Sequence, residues 1–111
     1  MFQPCDIVLL RFPFSDLSGT KLRPVLVLTA SNAQGDFLSV QITSQLHYAL
    51  HVPLRDDDFA AGFLPKPSIV RPDKVLTLNQ SLVVRRVGAL TEDAGKRVKA
   101  AICRHFGCDG F

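Results

Sequence analysis

Pro24-Val25-Leu26-Val27-Leu28-Thr29, followed after a polar stretch by Phe37-Leu38-Ser39-Val40-Gln41-Ile42-Thr43, is the part of the chain whose reading decides the fold. Both runs are dominated by aliphatic and β-branched residues and are too short for a free-standing helix, so they read as strands. Ser31-Asn32-Ala33-Gln34-Gly35-Asp36 between them is turn-forming. Upstream, Asp6 to Phe12 is a third run of the same kind. It is separated from the second by Pro13 to Lys21, a polar segment too long for a tight hairpin and of the kind that serves either as a functional lid or as a plain mobile loop.

Downstream, a strand is expected at Leu50 to Leu54, followed by a solvated acidic turn at Arg55-Asp56-Asp57-Asp58. Strand signals return at Ser68 to Val70, Lys74 to Leu78 and Leu82 to Val87, divided by Leu64-Pro65-Lys66-Pro67 and Asn79-Gln80. The last segment changes period. Thr91 is a suitable N-cap, Glu92 and Asp93 suit the positive end of a helix, and basic residues precede Gly107. Ala94, Val98, Ala101, Ile102 and Phe106 form a stripe that should pack on the sheet. Many short strands and one terminal helix give an α+β class: a curled antiparallel barrel with a C-terminal helix, in a single domain over residues 1–111.

Composition bounds the function. A chain of 111 residues supports one core, and 47% hydrophobic with 21% charged residues is ordinary for a folded protein. The net charge of +3 and pI near 9.0 allow a polyanionic partner without identifying one. Cys5, Cys103 and Cys108 lack the paired short spacings of a zinc ribbon or disulfide framework, which fits a reducing compartment. Met1 to Asp6 lacks the features of a signal peptide, and no apolar run approaches the roughly 20 residues of a membrane span, so a cytoplasmic location is expected.

Two polar groups stand at strand ends that antiparallel pairing would bring together: Arg23 before its apolar run, and Thr43-Ser44-Gln45 after the next. A guanidinium is a planar fork of donors suited to phosphate, and a hydroxyl can hydrogen-bond a phosphoryl oxygen or its attacking group. Arg71-Pro72-Asp73-Lys74 places a carboxylate between two cations in what reads as a turn. Each motif alone is most often a solvated turn. His47 and His51 lie in a segment of strand and loop character, which removes the metal-binding face that their spacing would form on a helix. No metal or nucleotide cofactor is expected.

In order, the segments Asp6-Ile7-Val8, Gly19 to Leu28, Val40-Gln41-Ile42-Thr43-Ser44-Gln45 and Val70-Arg71-Pro72-Asp73 resemble the MazF/PemK toxins. The resemblance spans nearly the whole chain and rests on order and spacing, since each motif is short. It implies an SH3-like barrel, usually homodimeric, that cuts single-stranded RNA without a metal and is silenced by a cognate antitoxin. The implied reaction is attack of a ribose 2′-hydroxyl on the adjacent phosphorus, leaving a 2′,3′-cyclic phosphate and a 5′-hydroxyl. By resemblance, Arg23 and Thr43 sit at the scissile phosphate, Ser44 supports them, and Arg71 with Asp73 matches a pair assigned acid and base roles. Lys21, Gln45, Lys66 and Asp16 complete the expected RNA contacts. The chain departs from the pattern at Cys5, where the family commonly has Gly, a change expected to be harmless. It departs again in the loop Ser15 to Leu22, where some members carry His or Glu and the only carboxylate here is Asp16. The rival readings are a non-catalytic gyrase-poison toxin of the same fold and a plain SH3-like binding module.

Overall fold

The structure, a computed structural model, describes residues 2–11 and 21–108. Among them, seven strands form one antiparallel sheet: β1 (Asp6–Arg11), β2 (Leu22–Val27), β3 (Asp36–Thr43), β4 (Val52–Leu54), β5 (Phe59–Gly62), β6 (Ser68–Asn79) and β7 (Val83–Leu90). Their spatial order is β4-β6-β3-β2-β1-β7-β5, and one α-helix, α1 (Glu92–Phe106), follows β7. This is the expected α+β class with a curled antiparallel sheet and a C-terminal helix.

The central strands read as continuous apolar runs because both of their faces are covered. On one face Ile7, Leu26, Val40, Ile42 and Val70 pack with Ala94, Val98 and Ala101 of α1. On the other, Val8, Leu10, Val25, Val27, Phe37 and Leu78 form a second cluster, completed by Phe2. Alternate residues of a strand therefore enter different cores, and neither set can be polar. The helix begins where Thr91 accepts a hydrogen bond from the Ala94 amide and stops at Gly107, which adopts the left-handed conformation with φ +74°. Its apolar stripe packs as expected through Ala101 and Ile102, but Phe106 is 61% exposed. The last turn extends beyond the apolar surface that covers the rest.

Four local expectations are corrected. The strands read at Ser68 to Val70 and Lys74 to Leu78 are one strand, β6, and Arg71-Pro72-Asp73-Lys74 is no turn. The β3–β6 register jumps from Val40↔Val75 to Gln41↔Arg71, so Pro72, Asp73 and Lys74 form a bulge without partners opposite. A bulge is where a residue lacking an N–H fits inside a sheet. Strand β5 had no signal of its own. Ala60-Ala61-Gly62 is drawn into the sheet by β7, where Gly62 at φ +67° lies against Gly88 so closely that a Cβ would strike the Val87 carbonyl. Cys5 has φ +78°, a left-handed conformation costing a non-glycine residue roughly 1–2 kcal/mol, so the departure from Gly carries strain.

The acidic run is the fourth correction. Asp56 and Asp57 are exposed, but the Asp58 side chain is only 7% exposed and tied to α1. Arg97 donates to it at 2.8 and 3.3 Å, and the Arg55 amide donates at 2.8 Å. Hydrogen bonding from Arg97 holds the Asp58 carboxyl below the usual carboxylate range, against the opposing effect of burial, and raises Arg97 in turn. A depressed carboxylate adds stability above its unfolded pKa of about 4 and loses it as pH falls through the folded value. Asp58→Ala is therefore expected to destabilise the protein by roughly 1–3 kcal/mol at pH 7. Denaturant titrations should show the gap between wild type and variant closing below about pH 4.

Candidate functional site

The β2–β3 ladder ends at Val25↔Gln41, and Arg23 and Thr43 each lie two residues beyond that last pair, at the same end of the two strands. The strand ends expected to meet do meet. Arg23 is also paired with Leu10 across β1, which holds its backbone on the other side. The Arg23 Nε is buried without a hydrogen-bond partner among the described residues. A buried guanidinium donor left unpaired is costly unless a ligand satisfies it. The Thr43 Oγ1 accepts the Gln45 amide at 3.1 Å, which fixes the hydroxyl oxygen and leaves its proton free to donate.

Both residues line an open cleft of about 740 Å³, together with Lys21, Ser44, Gln45 and Lys66. Six residues expected from the sequence are thus brought together. The cleft also contains Arg85 and Arg86 of β7 and Phe63, from the segment after β5. These three were not singled out from the sequence. The adjacent Arg85-Arg86 pair within an otherwise apolar strand was a usable signal, whereas Phe63 carried none. Among the described residues the cleft lining has five cations and no carboxylate. Arg86 is neutralised by Asp6 at 3.0 Å. Lys21, Arg23, Lys66 and Arg85 have no carboxylate partner among the described residues.

Arg71 and Asp73 lie outside this lining. Arg71 grips Asp73 with two hydrogen bonds, Nε to Oδ1 at 3.3 Å and Nη2 to Oδ2 at 2.8 Å, and stacks 3.8 Å over the Tyr48 ring. The Tyr48 hydroxyl donates to Gln45 Oε1 at 3.3 Å, linking the pair to the cleft rim. Hydrogen bonding from Arg71 holds the Asp73 carboxyl below the usual range despite some desolvation. His51 is occupied by the Tyr48 carbonyl through Nδ1 at 2.7 Å, and no group of three His, Cys, Asp or Glu side chains clusters at ligand spacing among the described residues. Asp16, expected as an RNA contact, lies outside the described residues.

The sequence profile of the PemK-like, MazF-like toxins of type II toxin-antitoxin systems matches residues 3–106. The chain belongs to this family. Solved structures agree in fold. The toxin MazF-mt6 of Mycobacterium tuberculosis superposes with a TM-score of 0.70 at 25% identity, covering 92% of this chain and 96% of that one. MazF of Deinococcus radiodurans gives 0.73 at 21% identity, covering 95% and 96%. An endoribonuclease in complex with its cognate antitoxin, from a mycobacterial species, gives 0.69 at 19% identity, covering 95% and 92%. No curated protein matches by sequence. Among the described residues of this PemK-like chain, no helix is long and apolar enough to cross a membrane.

Four unpaired cations in one cleft should make binding of a single-stranded polyanion salt-dependent. The slope of log K against log salt is expected at roughly −2 to −3, and Arg85→Gln should reduce its magnitude by about 0.7. Fluorescence anisotropy of a labelled oligonucleotide at several salt concentrations measures both.

Proposed function

We propose that this chain is a sequence-selective, metal-independent endoribonuclease toxin that cuts single-stranded RNA in the cytoplasm. The observation that carries the reading is the buried Arg23 Nε, unpartnered among the described residues, in a cationic cleft that it shares with Thr43 and whose described lining holds no carboxylate. Such a site accepts a phosphodiester and donates to charge that develops on the phosphoryl oxygens. The endoribonuclease named in a structural neighbour is consistent with this chemistry.

In the proposed reaction the ribose 2′-oxygen attacks the adjacent phosphorus and the bond to the 5′-oxygen breaks. The products are a 2′,3′-cyclic phosphate and a 5′-hydroxyl, and DNA, without the 2′-hydroxyl, is spared. Arg23 and Thr43 stabilise the phosphoryl charge, Ser44 supports them, and Lys21, Lys66 and Gln45 hold the flanking strand. The resemblance gives the proton transfers to Arg71 and Asp73. A carboxylate held ionised by a bidentate guanidinium is a weak base at neutral pH, and the pair sits one side chain behind Gln45. We therefore read Arg71 and Asp73 as holding Tyr48 and Gln45 at the rim.

A C2 homodimer is the commonest state for a small toxin of this kind, and an acidic antitoxin segment would compete with RNA for the same cations. The antitoxin complex among the structural neighbours supports that partner. Inhibition of RNA binding by such a peptide should weaken with salt, and light scattering reports the dimer.

Purified protein should cleave labelled RNA in excess chelator; activity abolished by EDTA and restored by magnesium would overturn the metal-free mechanism. Arg23→Ala and Thr43→Ala should each lower the rate by about a hundredfold or more, the scale of one lost transition-state donor. Both variants should keep thermal midpoints close to wild type. Near-normal cleavage by either folded variant removes that residue from the site, and a protein inert on every RNA favours the non-catalytic toxin.

A further inference from the structure

Beside the cleft lies a smaller pocket of about 360 Å³, lined by Leu54, Asp56 and Phe59 and sharing Phe63, Pro65 and Lys66 with the cleft. The two are one continuous surface of different electrostatic character. The cleft carries cations without a carboxylate, whereas the described lining of the pocket balances Lys66 with Asp56, which has no ion pair among the described residues. Between them Phe63 is 74% exposed, the largest exposure of any large apolar side chain described. Its position is imposed by the fold. Gly62 is packed on β7 at φ +67°, and Pro65 and Pro67 stiffen the chain that follows. A large ring held in water at the mouth of a pocket has not been placed there by core packing.

We infer that this pocket is a nucleobase site that reads one base of the RNA strand, with guanine preferred. This rests on the nuclease reading above and adds the residues that select sequence. A strand whose phosphates lie on Lys66 and the other cations can turn one base out of the cleft onto the Phe63 face. Asp56 offsets the charge of Lys66 there, so a phosphate gains less in the pocket than in the cleft, whereas a neutral base does not depend on that charge. The volume falls within the roughly 300–1,000 Å³ of small-ligand sites. An ionised carboxylate only accepts hydrogen bonds, so it selects an edge with adjacent donors. Guanine offers N1–H and N2–H together, while uracil offers one N–H between two carbonyl acceptors that the carboxylate repels. Asp56 thus discriminates by attraction and by repulsion.

The probes are uridine heptamers, uniformly 2′-O-methylated and so uncleavable, carrying one guanine moved stepwise along the strand. Anisotropy should show one placement binding wild-type protein roughly tenfold or more tighter than the all-uridine strand. Asp56→Asn should erase most of that gain, and Phe63→Ala should weaken the same placement by roughly fivefold to a hundredfold. Phe63 and Asp56 are both exposed, and circular dichroism should confirm that the variants fold. Equal binding at every placement, or a gain that survives both substitutions, overturns the proposal. So does a drop from dimer to monomer mass in Phe63→Ala, which would show that a second copy covers the ring. Unmodified RNA of mixed sequence tests the nuclease separately: guanine-dependent binding by a protein that cuts none of it supports the base pocket and removes the nuclease.

Discussion

Antiparallel pairing between β2 and β3 is the constraint on which the site depends. Val25, Leu26 and Val27 are buried on both sides of the sheet, so a slip of one residue would expose one core set and bury polar neighbours. The register is therefore strongly specified in the middle of the strands and carried outward to their ends. Arg23 and Thr43, each two residues beyond the Val25↔Gln41 pair, are thereby carried to the same cleft. Two apolar cores on the two sides of the sheet fix the position of a polar pair that belongs to neither.

The electrostatic character of the cleft follows from where its carboxylates are held. Asp6 takes Arg86, Asp58 takes Arg97, and Asp73 takes Arg71. Asp58 and Asp73 are kept ionised by their partners, and both pairs lie outside the cleft lining. Such pairs contribute modestly to stability where they are exposed. Their larger consequence is that Lys21, Arg23, Lys66 and Arg85 keep their full charge toward the cleft. A net charge of +3 over the chain understates the field there, because cations are concentrated on one surface and anions are neutralised elsewhere.

Backbone irregularities do the remaining positioning. The three-residue bulge of β6 turns Asp73 back onto Arg71 and brings that pair under Tyr48. The Gly62–Gly88 approach lets β5 close on β7, and the chain leaving it delivers Phe63 to the junction of cleft and pocket. A side chain at Gly62 would meet backbone and could not move aside, so this delivery depends on glycine.

The sequence by itself determined the central strands, the helix with its Thr91 and Gly107 caps, and the meeting of Arg23 with Thr43. Each is written locally, in apolar runs, capping residues and the antiparallel rule that joins consecutive strands. The resemblance carried by short ordered motifs reached the family. Only the tertiary structure decided that Arg71 to Lys74 is a bulge and not a turn, since bulges are defined by the partner strand. It alone recruited Ala60-Ala61-Gly62 into the sheet, because a segment without strand propensity pairs only when β7 presents an open edge. It separated Asp58 from Asp56 and Asp57, three identical residues of which Arg97 and the Arg55 amide hold Asp58. It also placed Phe63, Arg85 and Arg86 on the cleft, a convergence of segments far apart in the chain that no local pattern encodes.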